Sequence, residues 1–298
     1  MNSTGARALI DVLLEQGVDT VFGYPGSAVL DIYDELYKCD KIRHILTCHE
    51  QAAAHAADGY ARATGRTGVV IATSGPGATN LVTGIAAAYM DSSPVVAITG
   101  NVKTSLLGSD SFQEVDIAGV TMPVTKYSFI ASGERGVAQD VREAFSIAQS
   151  GRKGPVLVDI PADIAAQSEE YERAPKSEPA PAKEPEETEL ERAAQMMEKA
   201  KRPLIYVGGG AISSGASDAL KTFAQKLHIP VACSMMGLGA YPCSAELFLG
   251  LVGMHGNPAA NMAALNCDLL IAAGARFSNR VAASKESFAP KAKIIHID

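Results

Sequence analysis

Glu50 is the side chain of this sequence that is best placed for acid–base chemistry. It follows a short apolar segment, residues 45–48, and precedes an alanine-rich helical segment that runs to Thr64. Ligands bind at the carboxyl ends of strands in open α/β sheets, so a carboxylate there is a candidate proton donor or acceptor. The alternative interpretation is that Glu50 only stabilises the positive end of the helix, a contribution of roughly 0.3–1 kcal/mol.

Three glycine-bearing loops follow apolar segments in the same half of the chain. Glycine lets a backbone approach a ligand closely, and the start of the next helix offers free N–H groups. No loop completes the pattern G-x-G-x-x-G or continues into a P-loop, so tight turns between strand and helix are the alternative. The loops are Gly23-Tyr24-Pro25-Gly26-Ser27, Ser74-Gly75-Pro76-Gly77-Ala78-Thr79-Asn80 and Gly100-Asn101.

A long polar loop, residues 108–114, places Phe112 beside Gln113. This pair could offer an apolar wall and an amide to a ligand. A surface connection is the alternative, because most polar loops only join elements.

Glycine clusters also lie at the ends of predicted strands in the second half of the chain. Such an arrangement is typical of a dinucleotide crevice, although plain turns explain it equally well. His255 has no Ser, Cys or metal-type partner at a useful spacing, whereas Arg276 and Arg280 could reach phosphates or remain solvated. The clusters are Gly208-Gly209-Gly210, Gly253-Met254-His255-Gly256 and Gly274-Ala275-Arg276.

These loops need a framework of buried parallel strands. Segments such as Val69-Val70-Ile71-Ala72 are apolar on both faces, as strands covered by helices on both sides must be. They alternate with helical patterns, which predicts an α/β protein with two doubly wound parallel-sheet domains. Predicted strands are 20–23, 43–48, 68–73, 94–99, 155–160, 203–207, 230–233, 269–273 and 293–298. Predicted helices are 3–16, 28–37, 51–64, 78–90, 134–149, 189–200, 217–227 and 258–265, with a loop region before 125.

An acidic, proline-bearing segment divides the chain. Nine Glu lie between Ser168 and Glu191, a composition that cannot bury apolar surface and favours an extended linker. We therefore predict domains at 1–165 and 190–298 joined by a linker at 166–189. The last predicted strand has no helix after it to cover it, so we expect the polypeptide to be an incomplete, N-terminal fragment.

Composition excludes several classes of function. The net charge is −7 and basic residues are scattered, which argues against a nucleic-acid surface. No apolar segment is long enough for a membrane span, and the N-terminus lacks the apolar core of a signal peptide. Five cysteines without zinc spacing indicate reduced thiols, no metal site and a cytoplasmic protein.

The order of the motifs resembles that of acetolactate synthases, the large catalytic subunits of acetohydroxyacid synthase within the thiamine-diphosphate enzymes. The resemblance spans essentially the whole chain. Its most specific parts are Phe112-Gln113-Glu114 and Gly253-Met254-His255-Gly256. It is also carried by Gly23-Tyr24-Pro25-Gly26, the stretch from His49 to Arg62, Thr73-Ser74-Gly75-Pro76-Gly77-Ala78-Thr79-Asn80, the stretch from Ser150 to Asp159, Met236-Gly237-Leu238-Gly239 and Gly274-Ala275-Arg276-Phe277.

The resemblance implies a role for each group of residues. Residues 1–165 would be the domain that binds the cofactor's pyrimidine, where Glu50 hydrogen-bonds its N1′ nitrogen and activates it. Residues 190–298 would be a truncated, FAD-binding central domain. The thiamine diphosphate and substrate pocket would comprise Tyr24, Pro25, Gly26, Ser27, Thr73, Pro76, Asn80 and Gln113, with Phe112 as a substrate wall. FAD would contact Arg152, Gly208, Gly209, Gly210, Met235, Met236, Met254, His255, Gly256, Gly274, Ala275, Arg276 and Arg280.

The resemblance also implies a reaction. Pyruvate would lose carbon dioxide, and the remaining two-carbon unit would join a second pyruvate or 2-oxobutyrate, in branched-chain amino-acid biosynthesis. Diphosphate and Mg²⁺ would be held by a C-terminal domain whose Gly-Asp-Gly…Asn motif is absent from the 298 residues, so we expect the chain alone to be inactive. A homodimer or higher homo-oligomer and a small regulatory subunit are the implied protein partners.

Two other interpretations stay open. One is a related thiamine-diphosphate enzyme, such as pyruvate oxidase or a 2-oxo-acid decarboxylase. The other is a non-catalytic cofactor-binding or interaction protein that ends naturally at Asp298.

Overall fold

The structure is a computed structural model that describes residues 2–176, 184–278, 281 and 288–298. The chain forms two compact units, Met1–Ala182 and Lys183–Asp298. Each unit contains a parallel sheet with helices on its faces, which confirms the predicted α/β class. No helix in the described ranges is long and apolar enough to cross a membrane.

The first unit alternates strands and helices along most of its length. Its elements are β1 (Asn2–Thr4), α1 (Gly5–Glu15), β2 (Thr20–Tyr24), α2 (Leu30–Tyr37), β3 (Arg43–Leu46), α3 (Glu50–Thr64), β4 (Gly68–Ala72), α4 (Pro76–Asn80), α5 (Val82–Asp91), β5 (Val95–Asn101), α6 (Ile117–Thr121), β6 (Tyr127–Ile130), α7 (Val137–Gln149), β7 (Val156–Pro161), α8 (Ala162–Ala166) and β8 (Ser168–Glu170).

The main sheet of this unit has the strand order β3-β2-β4-β5-β7-β6, with all pairs parallel. Its central strands β4, β5 and β7 are buried throughout, because helices cover both faces. On one face α1 and α7 pack against alternate strand residues such as Ile71 and Val158. On the other face the alanines of α3 and the side chains of α5 pack against Val70 and Leu157.

The second unit repeats this architecture with five parallel strands in the order β11-β10-β9-β12-β13. Leu220 and Ala224 of its second long helix pack on one face, and Ala260 and Ala264 pack on the other. The elements are α9 (Glu187–Lys199), β9 (Pro203–Val207), α10 (Gly209–Ser213), α11 (Ser217–Leu227), β10 (Val231–Cys233), β11 (Phe248–Leu251), α12 (Pro258–Asn266), β12 (Leu269–Ala273) and β13 (Lys293–Ile297).

The sequence analysis missed several elements for physical reasons. β6 and β11 are edge strands with one neighbour each, so they are only half-buried and lack the continuous apolar pattern of central strands. β11 also carries Gly250 at φ 94° beside a register shift. The predicted helix 78–90 is two helices, α4 and α5, and the predicted loop before 125 contains α6.

The predicted acidic linker, 166–189, has structure at both ends. β8 pairs antiparallel with β1, and these three-residue strands are polar and give no hydrophobic signal. Further along, Tyr171 donates a hydrogen bond to Glu15 at 2.5 Å, and the backbone N–H of Ala174 donates to the same oxygen at 2.9 Å. At the other end α9 begins at Glu187 with a capping box formed by Glu186 and Glu189.

Asp159 gives the first unit a pH-dependent stability. It has no exposed surface, and burial raises the pKa of its carboxyl to about 7 although Thr99 and Asn101 donate hydrogen bonds to it. The unfolded carboxyl titrates near pH ~4, so the folded state holds the proton more tightly, and this contribution to stability is lost as pH rises through 7. Asn does not titrate, so the stability of Asp159→Asn lacks this pH dependence. We expect the free energy of unfolding of Asp159→Asn to rise by about 2 kcal/mol relative to that of the parent as pH increases from about 5 to about 8. Urea unfolding across this range checks it, and a constant difference would refute it.

Candidate functional site

The candidate site of the first unit lies where the chain reverses its direction of travel across the sheet. β2 is flanked by β3 on one side and β4 on the other, so the loops after β2 and β4 leave the sheet in a crevice at its carboxyl edge. Tyr24 ends β2, Thr73 follows β4, and Glu50 follows β3. Two of the predicted glycine loops and Glu50 therefore meet at one edge, whereas the third predicted loop, Gly100-Asn101, forms the end of β5.

Glu50 is the first residue of α3 and is half-buried. His49 caps the helix, since its Nδ1 accepts a hydrogen bond from the backbone N–H of Gln51 at 3.1 Å. Asn80, at the end of α4, donates from Nδ2 to Oε2 of Glu50 at 2.9 Å. Oε1 faces Gly77, where an added Cβ would lie 3.3 Å from it. One carboxylate oxygen is thus fixed, and a residue without a side chain lies beside the other.

The loops after β2 and β4 are locked to each other. A Cβ added at Gly26 would lie 2.5 Å from Cβ of Thr73, so only glycine fits there without a shift. The Thr73 hydroxyl accepts a hydrogen bond from the backbone N–H of Ala28 at 3.2 Å. Around this contact the predicted pocket residues with exposed surface are Tyr24, Pro25, Ser27 and Pro76.

Gln113 also belongs to this cluster. A Cβ added at Gly75 would lie 2.7 Å from the carbonyl oxygen of Gln113, so the two backbones are in contact. Gly75 has φ 58°, and Gln113 itself has φ 58°, a left-handed conformation that is uncommon for a residue with a side chain. The adjacent Phe112 is 85% exposed and therefore available as a wall for a ligand.

Sequence reasoning missed two polar residues near Glu50. The hydroxyl of Tyr33 and Nε2 of His44 are 3.2 Å apart, and a Cβ at Gly23 would lie 2.6 Å from that hydroxyl. Burial, with a contribution from the negative charge of Glu50, raises the pKa of Tyr33, and burial lowers the pKa of His44. The sequence offered one indication of this pair, because His44 is a polar residue inside the predicted strand 43–48.

The glycine clusters of the second unit meet at an equivalent crevice. β9 lies between β10 and β12, so the loops after β9 and β12 flank the point where the strand order reverses. A Cβ at Gly208 would lie 2.2 Å from the carbonyl oxygen of Gly274. The backbone N–H of Gly210 donates to that oxygen at 2.9 Å, so these glycines are required for loop-to-loop packing.

The other predicted flavin residues are distributed around this edge. Cα of Gly209 faces Met236, since an added Cβ would lie 3.1 Å from Cβ of Met236. Ala275 is buried, and a Cβ at Gly256 would lie 2.7 Å from the backbone of Gly253, which makes that turn tight. Exposed at this edge are Met235, Met236, Met254, His255 and Arg276.

Two predicted flavin residues are not part of this cluster. Arg152 belongs to the first unit, where it is exposed and its Nε donates to the hydroxyl of Ser92 at 2.8 Å. Arg280 lies outside the described residues.

Both units match families of known proteins. The profile described as "Thiamine pyrophosphate enzyme, N-terminal TPP binding domain" matches residues 3–120, and "Thiamine pyrophosphate enzyme, central domain" matches residues 190–298. The chain belongs to the thiamine pyrophosphate enzyme family.

Within this family the chain is similar to acetolactate synthase large subunits. It is 51% identical to that of Corynebacterium glutamicum, over 99% of this chain and 48% of the relative. It is 50% identical to the probable acetolactate synthase large subunit of Methanocaldococcus jannaschii, over 99% and 51%. It is 48% identical to the isozyme 3 large subunit of Escherichia coli, over 99% and 52%. The chain spans about half the length of these relatives.

Proposed function

We propose that this chain supplies the cofactor-activating residues of an acetolactate synthase catalytic subunit. The observation that carries the proposal is the position of Glu50 at the crevice, with Oε2 held by Asn80 and Oε1 facing Gly77. A carboxylate fixed at one oxygen can exchange a proton through the other with a ring nitrogen placed against it. The similarity to acetolactate synthase large subunits supports the same assignment.

The residues present fit thiamine diphosphate. Gly26 and Gly77 both pack against Thr73, where an added Cβ would lie 2.5 and 2.7 Å from its side chain, so the two glycines bring the loops after β2 and β4 together next to the half-buried Glu50. The cofactor supplies the electron sink for decarboxylation, which amino-acid side chains lack. Glu50 would hold and exchange the proton at the pyrimidine N1′, and Asn80 would orient the carboxylate. The surrounding pocket would be formed by Tyr24, Pro25, Gly26, Ser27, Thr73, Pro76 and Gln113.

The proposed substrates are 2-oxo acids. One pyruvate loses carbon dioxide, and its two-carbon unit is transferred to a second pyruvate, giving 2-acetolactate, or to 2-oxobutyrate, giving 2-aceto-2-hydroxybutyrate. Phe112 would exclude water from the acceptor side with its exposed ring. This activity belongs to the biosynthesis of valine, leucine and isoleucine in the cytoplasm.

FAD is the second proposed cofactor. The exposed sulfur-containing side chains of Met235, Met236 and Met254 offer polarizable apolar contacts to a flat ring, and Arg276 offers positive charge. Gly208 to Gly210 would allow close approach of the backbone, with Gly256, Gly274, Ala275 and His255 beside them. Arg152 would contribute from the first domain and Arg280 from a segment outside the described residues.

The proposed domain boundaries are 1–165, a linker at 166–189, and 190–298. Mg²⁺ and the diphosphate would be bound by a segment that corresponds to the second half of the relatives. "The complete enzyme" below means this chain together with that segment. We expect a homodimer or higher homo-oligomer, supported by exposed apolar side chains such as Leu30, Leu46 and Met122, and a small regulatory subunit.

A product assay on the complete enzyme tests the proposal. With pyruvate, thiamine diphosphate, Mg²⁺ and FAD, we expect acetolactate, and with added 2-oxobutyrate we expect acetohydroxybutyrate. Acetaldehyde as the main product would favour a 2-oxo-acid decarboxylase, and phosphate- or oxygen-dependent formation of an acetyl product would favour pyruvate oxidase. Either result would overturn the assignment.

A further inference from the structure

Asp159 is a carboxylate buried inside the main sheet of the first unit. It interrupts the apolar strand β7, has no exposed surface, and forms no ion pair within the ranges that the structure describes. Its Oδ1 accepts a hydrogen bond from the Thr99 hydroxyl at 2.6 Å, and its Oδ2 accepts one from Nδ2 of Asn101 at 2.5 Å. Burying an acid in a sheet is unfavourable, so its presence here calls for a role other than packing.

The partners of Asp159 hold the start of a loop. Asn101 is the last residue of β5, and its Oδ1 accepts a hydrogen bond from the backbone N–H of Val102 at 2.8 Å. Two residues further on, the backbone N–H and the hydroxyl of Thr104 donate to Asp163 at 2.9 and 2.5 Å. The end of β7 and the start of α8 thus fix residues 101–104.

The far end of the same loop carries the predicted site residues. Gln113 rests on Gly75 in a left-handed conformation, which persists only where the surroundings enforce it. Asp116 then caps α6 by accepting a hydrogen bond from the backbone N–H of Gly119 at 2.9 Å. Its charge adds to the effect of burial in raising the pKa of Asp159, so the far end of the loop is coupled electrostatically to this carboxyl.

We propose that Asp159 is a positioning residue that fixes the loop at residues 102–116, and thereby holds Phe112 and Gln113 at the cofactor crevice. The site role of Phe112 and Gln113 rests on the proposed function, whereas the effect of Asp159 on the loop does not. Asp159 touches no reacting atom and acts through Asn101 and the backbone of Val102.

Hydrogen exchange measured by mass spectrometry on the whole chain tests the effect on the loop. Asp159→Leu keeps the approximate size but accepts no hydrogen bond, and we expect exchange in residues 102–116 to rise at least tenfold while α7 is unchanged. Asp159→Asn still accepts from Asn101 and should restore most of the protection. The control is Gln149→Leu, which removes a hydrogen bond to Thr67 before β4 and should leave the loop unchanged. An unchanged loop, or an equal rise throughout the first unit, would overturn the proposal.

A second variant covers failure of Asp159→Leu to fold. Asp163→Ala removes the hydrogen bonds from Thr104 together with those from the backbone N–H groups of Asp163 and Ile164, and we expect a rise in exchange confined to the first residues of the loop and the start of α8. No change in that variant would then count against the proposal.

Kinetics of the complete enzyme separate this proposal from the proposed function. We expect Asp159→Leu to raise KM for pyruvate several-fold while cofactor binding is retained, and Asp159→Asn to rescue KM. A fall in kcat with unchanged KM would contradict positioning at the substrate side. If the parent enzyme made no acetolactate, the proposed function would fail, yet the exchange experiment would still decide the role of Asp159.

Discussion

Glu50→Gln is expected to reduce acetolactate formation by the complete enzyme by about 10²–10⁴-fold, the usual contribution of a positioned acid–base group. Glutamine has nearly the same shape and can still accept a hydrogen bond from Asn80 at Oε1, but it cannot exchange a proton. FAD should stay bound, because its proposed residues lie in the other unit apart from Arg152. Steady-state kinetics with pyruvate and the flavin spectrum measure both effects.

Glu143→Gln is the matched control for this substitution. Glu143 lies on α7 of the same unit, away from the crevice. Its carboxylate pairs with the guanidinium of Arg135 at 2.7 Å. We expect Glu143→Gln to form acetolactate at a rate within about twofold of the parent rate, because most surface substitutions have small effects. If Glu50→Gln behaved like this control, Glu50 would be only a helix-end residue, the alternative that its position in the sequence allowed.

The second large effect is on stability, at Glu15. Its side chain is 1% exposed and accepts hydrogen bonds from Arg142 at both oxygens, each 2.9 Å, and from Tyr171 and Ala174 at one. Glu15→Gln would leave Arg142 without its charge partner and place an amide donor against these donors. We expect a loss of about 3 kcal/mol in the free energy of unfolding of the first unit, measured by urea titration.

An exposed ion pair serves as the control for Glu15. Asp34 pairs with Lys38 at 2.6 Å on the surface, and Asp34→Asn should cost no more than about 0.5 kcal/mol. If both substitutions lowered the free energy of unfolding equally, the buried cluster around Glu15 would contribute no more stability than an exposed ion pair.

The stability due to Glu15 should also depend on pH. Burial alone would raise the pKa of Glu15, but the hydrogen bonds from Arg142, Tyr171 and Ala174 outweigh it and hold the pKa below its usual value of 4.5. The contribution is therefore complete above that usual value and is lost as pH falls through the lowered pKa. The difference between the parent and Glu15→Gln should shrink on acidification below about pH 4.

Central elements of the fold could be predicted from the sequence because their patterns are local. β9, α11 and β12 lie at the predicted residues, and α3 begins one residue before its predicted start. The edge strands β3 and β13 lie at predicted residues, whereas the edge strands β6 and β11 were missed, and β11 is interrupted by Gly250 beside a register shift. The polar pair β1 and β8 depends on backbone hydrogen bonds between residues more than 160 positions apart.

The candidate site was predictable in its residue types and not in its contacts. The resemblance named Glu50, Asn80 and Gln113, but the hydrogen bond between Glu50 and Asn80 depends on the packing of α4 against α3. The contact of Gln113 with Gly75 depends on two left-handed residues in different loops, a conformation that no local pattern announces for glutamine. Asp159 was missed because apolar residues surround it in β7, which predicts a plain buried strand.

Exchange of the C2 proton of bound thiamine diphosphate for deuterium tests the proton-transfer role of Glu50 most directly. It can be followed in the complete enzyme by rapid quenching and proton NMR, without any substrate. We expect the parent and Glu143→Gln to exchange this proton at similar rates, and Glu50→Gln to exchange it at least about 100-fold more slowly with the cofactor still bound. Exchange at the parent rate in Glu50→Gln would contradict the account.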